Sequence, residues 1–207
     1  DAQAGLASGP DRLVSNAWEE AQLRRFAGLR VLSSSGLNSY TAGADAGNTG
    51  TLASTPNATW ATHKDTMIQT LSLTGLAIST TDAVRAGDII EFTGTGADAR
   101  SHVNVATRKT VQDASGPRKW RCTVVTGGNT DGSGNVTVTV SNAAIYGASG
   151  GLDEQYTNIS AALTSGDAFS ILGVADTEYQ PNLFYHKKAF ALSSLKLPKL
   201  HATDTIA

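Results

Sequence analysis

A chain of 207 residues can hold one large or two small domains and is long enough to bury a real core. Charged residues make up 16% of it and the formal net charge is -2, which gives no electrostatic case for a nucleic-acid partner. No apolar run is long enough to cross a bilayer, the N-terminus lacks the basic-then-apolar order of a signal peptide, and a single cysteine excludes an internal disulfide or a thiolate metal cluster.

The first eleven residues are small and polar, in the manner of a loop or a frayed terminus. Asn16 with Glu19 three residues on predicts a helix cap. Trp18, Ala21, Leu23 and Phe26 then fall on one side of a helix over Ala17–Phe26 that Gly28 would end, with Leu29, Val31 and Leu32 as a short extended exit. From Ser33 to Asn57 the chain is almost entirely Ser, Gly, Asn, Thr and Ala, which predicts a linker or a long surface excursion. Met67 to Leu76, with Leu71 and Leu73 in alternation, is the first clear strand.

The stretch that organises the rest is Val84-Arg85-Ala86-Gly87-Asp88-Ile89-Ile90-Glu91-Phe92. Gly87 supplies a turn conformation that a Cβ resists, Asp88 can bond nearby backbone, and Ile90 and Phe92 share one face that needs a core. The pattern returns at Gly166-Asp167-Ala168-Phe169-Ser170-Ile171. Between these points Val103 and Val105 begin an alternation, and Asp113 to Lys119 is a loop. Trp120, Cys122 and Val124 answer Val136, Val138 and Val140 across a Gly127–Asn135 loop. Ala143 to Gln155 is loop-like, and Ile159 to Leu163 is a short closing segment. Five or six strands between about residues 69 and 173, with no amphipathic helix among them, predict a mainly β chain built on an antiparallel barrel or sandwich. Cys122 is then an inert core thiol.

No catalytic constellation emerges. His63, His102, His186 and His201 lie in no nucleophile or metal-ligand motif. Asp131-Gly132-Ser133-Gly134 lacks the ligand count and closing acid of a calcium loop. We therefore expect neither an enzyme nor a resident metal or cofactor. Arg100, Arg108, Lys109, Arg118, Lys119 and Arg121 collect in one part of the sequence, as the charged rim of a soluble barrel or, more sharply, as a strip that meets acids on an adjacent subunit.

Beyond the barrel, Asn182-Leu183-Phe184-Tyr185-His186-Lys187-Lys188-Ala189-Phe190-Ala191-Leu192 is more apolar and aromatic than anything before it. The order of parts is a helix ending in Phe26-Ala27-Gly28, a short strand, a Ser/Gly-rich run, a β domain with Arg85 to Phe92, then this segment. That order resembles the major capsid protein of short-tailed lambdoid bacteriophages, which carries an insertion barrel within the Hong Kong 97-type capsid fold. The resemblance implies that residues 1–38 and 176–207 are flanks belonging to the capsid axial domain and that 39–175 is the insertion domain. It also implies a piece of a longer subunit, with the family's N-terminal arm, spine helix and C-terminal remainder outside this chain. As implied partners it brings other copies of the coat protein, a scaffolding protein and a portal protein, with no specific nucleic-acid contact and no membrane. The place it implies is the virion, assembled in the bacterial cytoplasm. A loop meeting a neighbouring subunit would correspond to Thr55–Asp65, with Lys64 and Asp65 as charge partners and Arg118 and Lys119 as further inter-subunit contacts.

The rival reading is an extracellular carbohydrate-binding or adhesion sandwich, because Trp60, Tyr146 and Tyr156 sit in or near loops. It requires an exposed planar row of aromatics.

Overall fold

The computed structural model describes residues 25–26, 29–30, 36 and 38–180. Two-residue strands β1 (Arg25–Phe26) and β2 (Leu29–Arg30) pair antiparallel. Arg25 and Phe26 are thus extended rather than the last turn of the predicted helix, because each pairs across to β2, Arg25 opposite Arg30 and Phe26 opposite Leu29. The rest of that helix, and the apolar segment Asn182–Leu192, lie outside the described residues.

Six strands close into an antiparallel barrel. In chain order they are β4 (Thr49–Leu52), β5 (Ile68–Thr74), β6 (Ile89–Phe92), β11 (Arg121–Thr126), β12 (Val136–Ser141) and β13 (Ala168–Leu172). Around the ring the order is β11-β12-β5-β4-β13, with β6 closing between β13 and β11. Every neighbouring pair is antiparallel. Alternation puts Leu71, Leu73, Ile90, Phe92, Cys122, Val124, Val136, Val138, Val140, Phe169 and Ile171 inside, all buried. Each fully buried aliphatic or phenyl side chain contributes roughly 1.5–3 kcal/mol, so the interior rather than the loops holds the fold. A register shift between Val124 and Thr126 bulges β11 and leaves Val125 half exposed.

The stretch read as a linker is part of this barrel. It carries β3 (Tyr40–Thr41) and β4, and it buries Ala42, Asp45, Ala46 and Leu52. Its small residues are what the site demands. A Cβ on Gly50 would stand 2.4 Å from the Thr74 carbonyl oxygen and 2.8 Å from the Phe169 ring, so a strand with little apolar content packs by letting its neighbour's phenyl ring in.

The two Gly-Asp turns begin adjacent strands, with Phe92 opposite Phe169 and Ile90 opposite Ile171. Because β6 and β13 run antiparallel, Asp88 and Asp167 mark opposite ends of the barrel. Each turn has the same construction. The Asp backbone N–H donates to the carbonyl three residues back, Arg85 O at 3.1 Å and Thr164 O at 3.1 Å. Its carboxylate accepts that residue's N–H, Arg85 N at 2.7 Å and Thr164 N at 2.8 Å. Gly87 and Gly166 hold φ of 102° and 92°, conformations that favour glycine.

The Asp88 end is the stem, where the chain comes in and leaves: β3 pairs with β14 (Glu178–Tyr179), Tyr40 opposite Tyr179. The Asp167 end is distal and carries the three long connections, residues 53–67, 93–120 and 142–167. The first holds one helical turn, α1 (Trp60–His63). The second folds into two small hairpins, β7 (Val103–Asn104) with β8 (Lys109–Thr110), and β9 (Gln112–Asp113) with β10 (Gly116–Pro117). The alternation read from Val103 therefore stops after two residues, and Val105 is exposed. The loop read from Asp113 contains a tight hairpin in which the Asp113 carboxylate accepts from Ser115 N at 2.8 Å and Ser115 Oγ at 2.7 Å. Ile159, in the predicted closing segment, is buried and bridges to His102.

Candidate interaction surfaces at the two ends of the barrel

At the stem, Asp88 is wholly buried and gathers three pieces of chain. Its carboxylate accepts the Tyr40 hydroxyl from β3, the Gly43 N–H at 3.1 Å from the following loop, and the Arg85 N–H. Burial, then the bond to Asp88, pushes the Tyr40 phenol well above its ordinary range, so it stays a donor. Gly87 admits the Tyr40 ring, since a Cβ there would lie 2.8 Å from it. Arg85 spans the same junction, donating to Ala42 O at 3.0 Å and pairing with Asp176 at 3.4 Å and Asp82 at 3.5 Å. The incoming and outgoing strands are thus fastened to one barrel turn, and Tyr40 stacks on Tyr179 with centroids 6.2 Å apart.

At the distal end the clamp is Arg100 on Asp167, both side chains buried. Nε donates to Oδ2 at 2.9 Å and Nη2 to Oδ1 at 2.7 Å, a two-pronged pair. Arg100 is therefore withdrawn from the basic strip that the sequence groups it with. Arg121 and Lys119 converge on Glu91, at 2.5 and 3.5 Å, and Arg108 pairs with Glu154 at 3.5 Å. Lys109 and Arg118 have no ion-pair partner among the described residues. Of the four residues singled out for contacts with a neighbour, Lys64, Asp65, Arg118 and Lys119 all lie exposed on distal connections. Lys119 is already engaged within its own chain.

The three distal connections are tied together. Trp60 of α1 lies flat on Tyr156, centroids 4.1 Å apart and planes 11° off parallel. Tyr146 N donates to Ala58 O at 3.2 Å, and the His102–Ile159 bridge joins the middle connection to the last. His63 is buried within the first, its ring nitrogens 2.8 Å from Ile68 O and from Asn57 O. His102 is half-buried beside Trp120, with Nε2 accepting the Arg121 N–H at 3.3 Å. Burial, then Arg118 and Arg121, hold its imidazole below the usual histidine range. Burial pushes the Cys122 thiol up to about 12, which leaves it a core residue. The rival's aromatic platform is not formed among the described residues, because Trp60 spends its face on Tyr156 and Trp120 is buried. The Arg100–Asp167 clamp was outside reach of the sequence reading. Its only signal was that Asp167 repeats the position of Asp88.

No grouping of three or more His, Cys, Asp or Glu among the described residues could hold a metal ion, and no described helix is long and apolar enough to cross a membrane. What the barrel presents is surface. A family model described as P22 coat protein, gene protein 5, matches residues 1–206. The major capsid protein of Acyrthosiphon pisum secondary endosymbiont phage 1 is 37% identical over 206 residues, covering 99% of this chain and 46% of that protein. The chain thus spans just under half the length of this curated relative. With a match over nearly all of its residues, the chain belongs to the P22 coat protein family.

Proposed function

We propose that this chain is part of a major capsid subunit of a tailed phage, and that it builds the shell without catalysis. The observation that carries the reading is the family match over residues 1–206, in a chain whose described part is a closed barrel with both chain crossings at one end. In this reading residues 39–175 are an insertion domain, set into a Hong Kong 97-type axial domain to which 1–38 and 176–207 contribute. The pairing of β3 with β14 supports the boundary, since an inserted domain must return its chain beside the point where it left. The barrel stabilises the subunit and its distal connections meet neighbouring copies, with scaffolding and portal proteins as further partners during assembly. The place of action is the virion, put together in the host cytoplasm.

Lys64, Asp65, Arg118 and Lys119 are the polar contacts of that distal surface. Arg118→Glu with Lys119→Glu in the intact subunit tests them. Arg121 holds the same Glu91 carboxylate at 2.5 Å, whereas Lys119→Glu sets a like charge where Lys119 stood 3.5 Å from it, so the unfolding midpoint is followed beside assembly; assembly should be disturbed with the barrel still folded, and raising the salt should weaken wild-type assembly in the same direction. Assembly equal to wild type at every salt concentration would overturn the assignment of these residues.

A further inference from the structure

Where the chain enters and leaves the barrel, exposed apolar side chains stand among acids. Ile89, Val125, Val174 and Tyr179 are all exposed at this end, and the structure ties their segments together. Ile89 lies opposite Leu172, two residues before Val174. Gly87 N donates to the carbonyl of Val124, the neighbour of Val125, at 2.8 Å. Val174 N donates to the Tyr179 hydroxyl oxygen at 2.9 Å, and Tyr179 stacks on Tyr40. Tyr40 in turn lines a groove with Asp82, Arg85, Ala86 and Gly87. An apolar patch with a polar margin marks an interaction surface.

The margin is acidic. The stem connections, residues 38–48, 75–88, 127–135 and 173–180, carry one cation, Arg85, against six acids, Asp45, Asp82, Asp88, Asp131, Asp176 and Glu178. Arg85 is shared, at 3.5 Å from Asp82 and 3.4 Å from Asp176, so two exposed carboxylates answer one guanidinium. Glu178, also exposed, has no ion-pair partner among the described residues. A second copy meeting this end stem to stem would oppose like charge. The occupant it fits is apolar and basic.

One segment of the chain itself has that make-up. Residues 1–37 carry four cations and four acids, but residues 181–207 carry four lysines and one acid, Asp204. Within the latter, Asn182–Leu192 lies outside the described residues and combines Leu183, Phe184, Tyr185 and Phe190 with Lys187 and Lys188, and it has no acid. Lys187 follows Tyr179 by eight residues, and a chain extends by at most about 3.3–3.6 Å per residue, so the segment reaches back over the surface from which it departs.

We propose that the acidic, apolar stem of the barrel is the docking surface for residues 182–192 of the same chain, with the lysines meeting Asp82 and Asp176 and the apolar side chains covering Val174 and Tyr179. The barrel is then seated on its own flank by a surface as well as by the two-residue pairing of β3 with β14. The proposal goes beyond the coat-protein reading and does not depend on it, because the contact lies within one subunit.

The test is hydroxyl-radical footprinting of the intact, unassembled subunit, with two valines compared in one molecule. Left open, Val174 at 63% exposure should be oxidised faster than Val105 at 44%. Covered, it should be oxidised several-fold more slowly than Val105, as for the dry centre of an interface. A carbodiimide, which condenses a carboxylate with an amine, should link Asp82 to Lys187 or Lys188, and in a mixture of 14N- and 15N-labelled subunits each linked pair should carry a single label. Lys187→Glu with Lys188→Glu should return Val174 to faster oxidation than Val105. If that variant does not fold, the wild-type footprint and cross-link still decide. Val174 oxidised faster than Val105 in the wild type would overturn the docking. A protected Val174 with no link from Asp82 to either lysine, or with links of mixed label, would overturn the assignment of this segment. Shell formation enters none of these readouts, so failure of the coat reading would be seen separately.

Discussion

Replacing Asp167 is the sharpest test of how the distal end is held. Its carboxylate is buried, accepts two bonds from Arg100 at 2.9 and 2.7 Å, and accepts Thr164 N at 2.8 Å and Thr164 Oγ1 at 3.2 Å. Asp167→Ala leaves a guanidinium only 6% exposed, with weaker acceptors at Ala97 O, 3.2 Å, and Ala99 O, 3.5 Å. Stranding one member of a buried pair costs about 3–5 kcal/mol, a large share of the roughly 5–15 kcal/mol by which a domain is stable. At about 2–4 °C per kcal/mol for a chain of this size, the midpoint should fall by about 6–20 °C. Arg100→Met should cost less, because Asp167 keeps both Thr164 donors. The double variant should cost clearly less than the sum, because neither charge is then left alone. Urea unfolding followed by circular dichroism gives all three values. Single-variant losses below about 1 kcal/mol, or additivity within about 0.5 kcal/mol, would refute the clamp.

Three further outcomes follow from other parts of the structure. Gly127→Ala would put a Cβ 1.8 Å from the Val84 carbonyl oxygen, so it should cost several kcal/mol, on the order of a severe backbone clash. Gly132→Ala in the same loop meets nothing within 4 Å and should lie within about 0.5 kcal/mol of wild type, which paired denaturation curves would show. Trp60→Ala removes a stack worth about 0.5–1.5 kcal/mol beyond its buried area, so hydrogen exchange should quicken over residues 55–65 and 146–156 while the barrel strands keep their protection. His102 has its imidazole held low by burial, so the unfolded chain takes up this proton first as pH falls below about 6.5. Its contribution to stability is whole above that pH and is lost as pH drops through the lower native value. Midpoints measured across that window should fall for wild type and fall less for His102→Gln.

Much of the barrel was legible because the signals were local. Period-two alternation at Leu71, Ile90, Cys122, Val138 and Phe169 gives five of the six strands, and the repeated Gly-Asp marks where two of them start. The sixth strand was not legible, because β4 pays its way in the core with Leu52 and with a glycine that accommodates Phe169. A hydrophobicity pattern cannot register what is made possible by a missing side chain. The basic strip misled for a related reason. Adjacency in sequence grouped Arg100 with Arg118, but a partner 67 residues away buries the first and leaves the second exposed. The stem latch of Tyr40, Asp88 and Arg85 depends on contacts between residues 43 to 48 positions apart in the chain, and only its turn could be read.

The most direct test of the account is electron microscopy of shells formed by the intact subunit. The account predicts closed, uniform particles in which every subunit shows a six-stranded barrel attached at the end bearing β3 and β14. A subunit that remains a soluble monomer under assembly conditions, or shells whose subunits carry no such barrel, would contradict it.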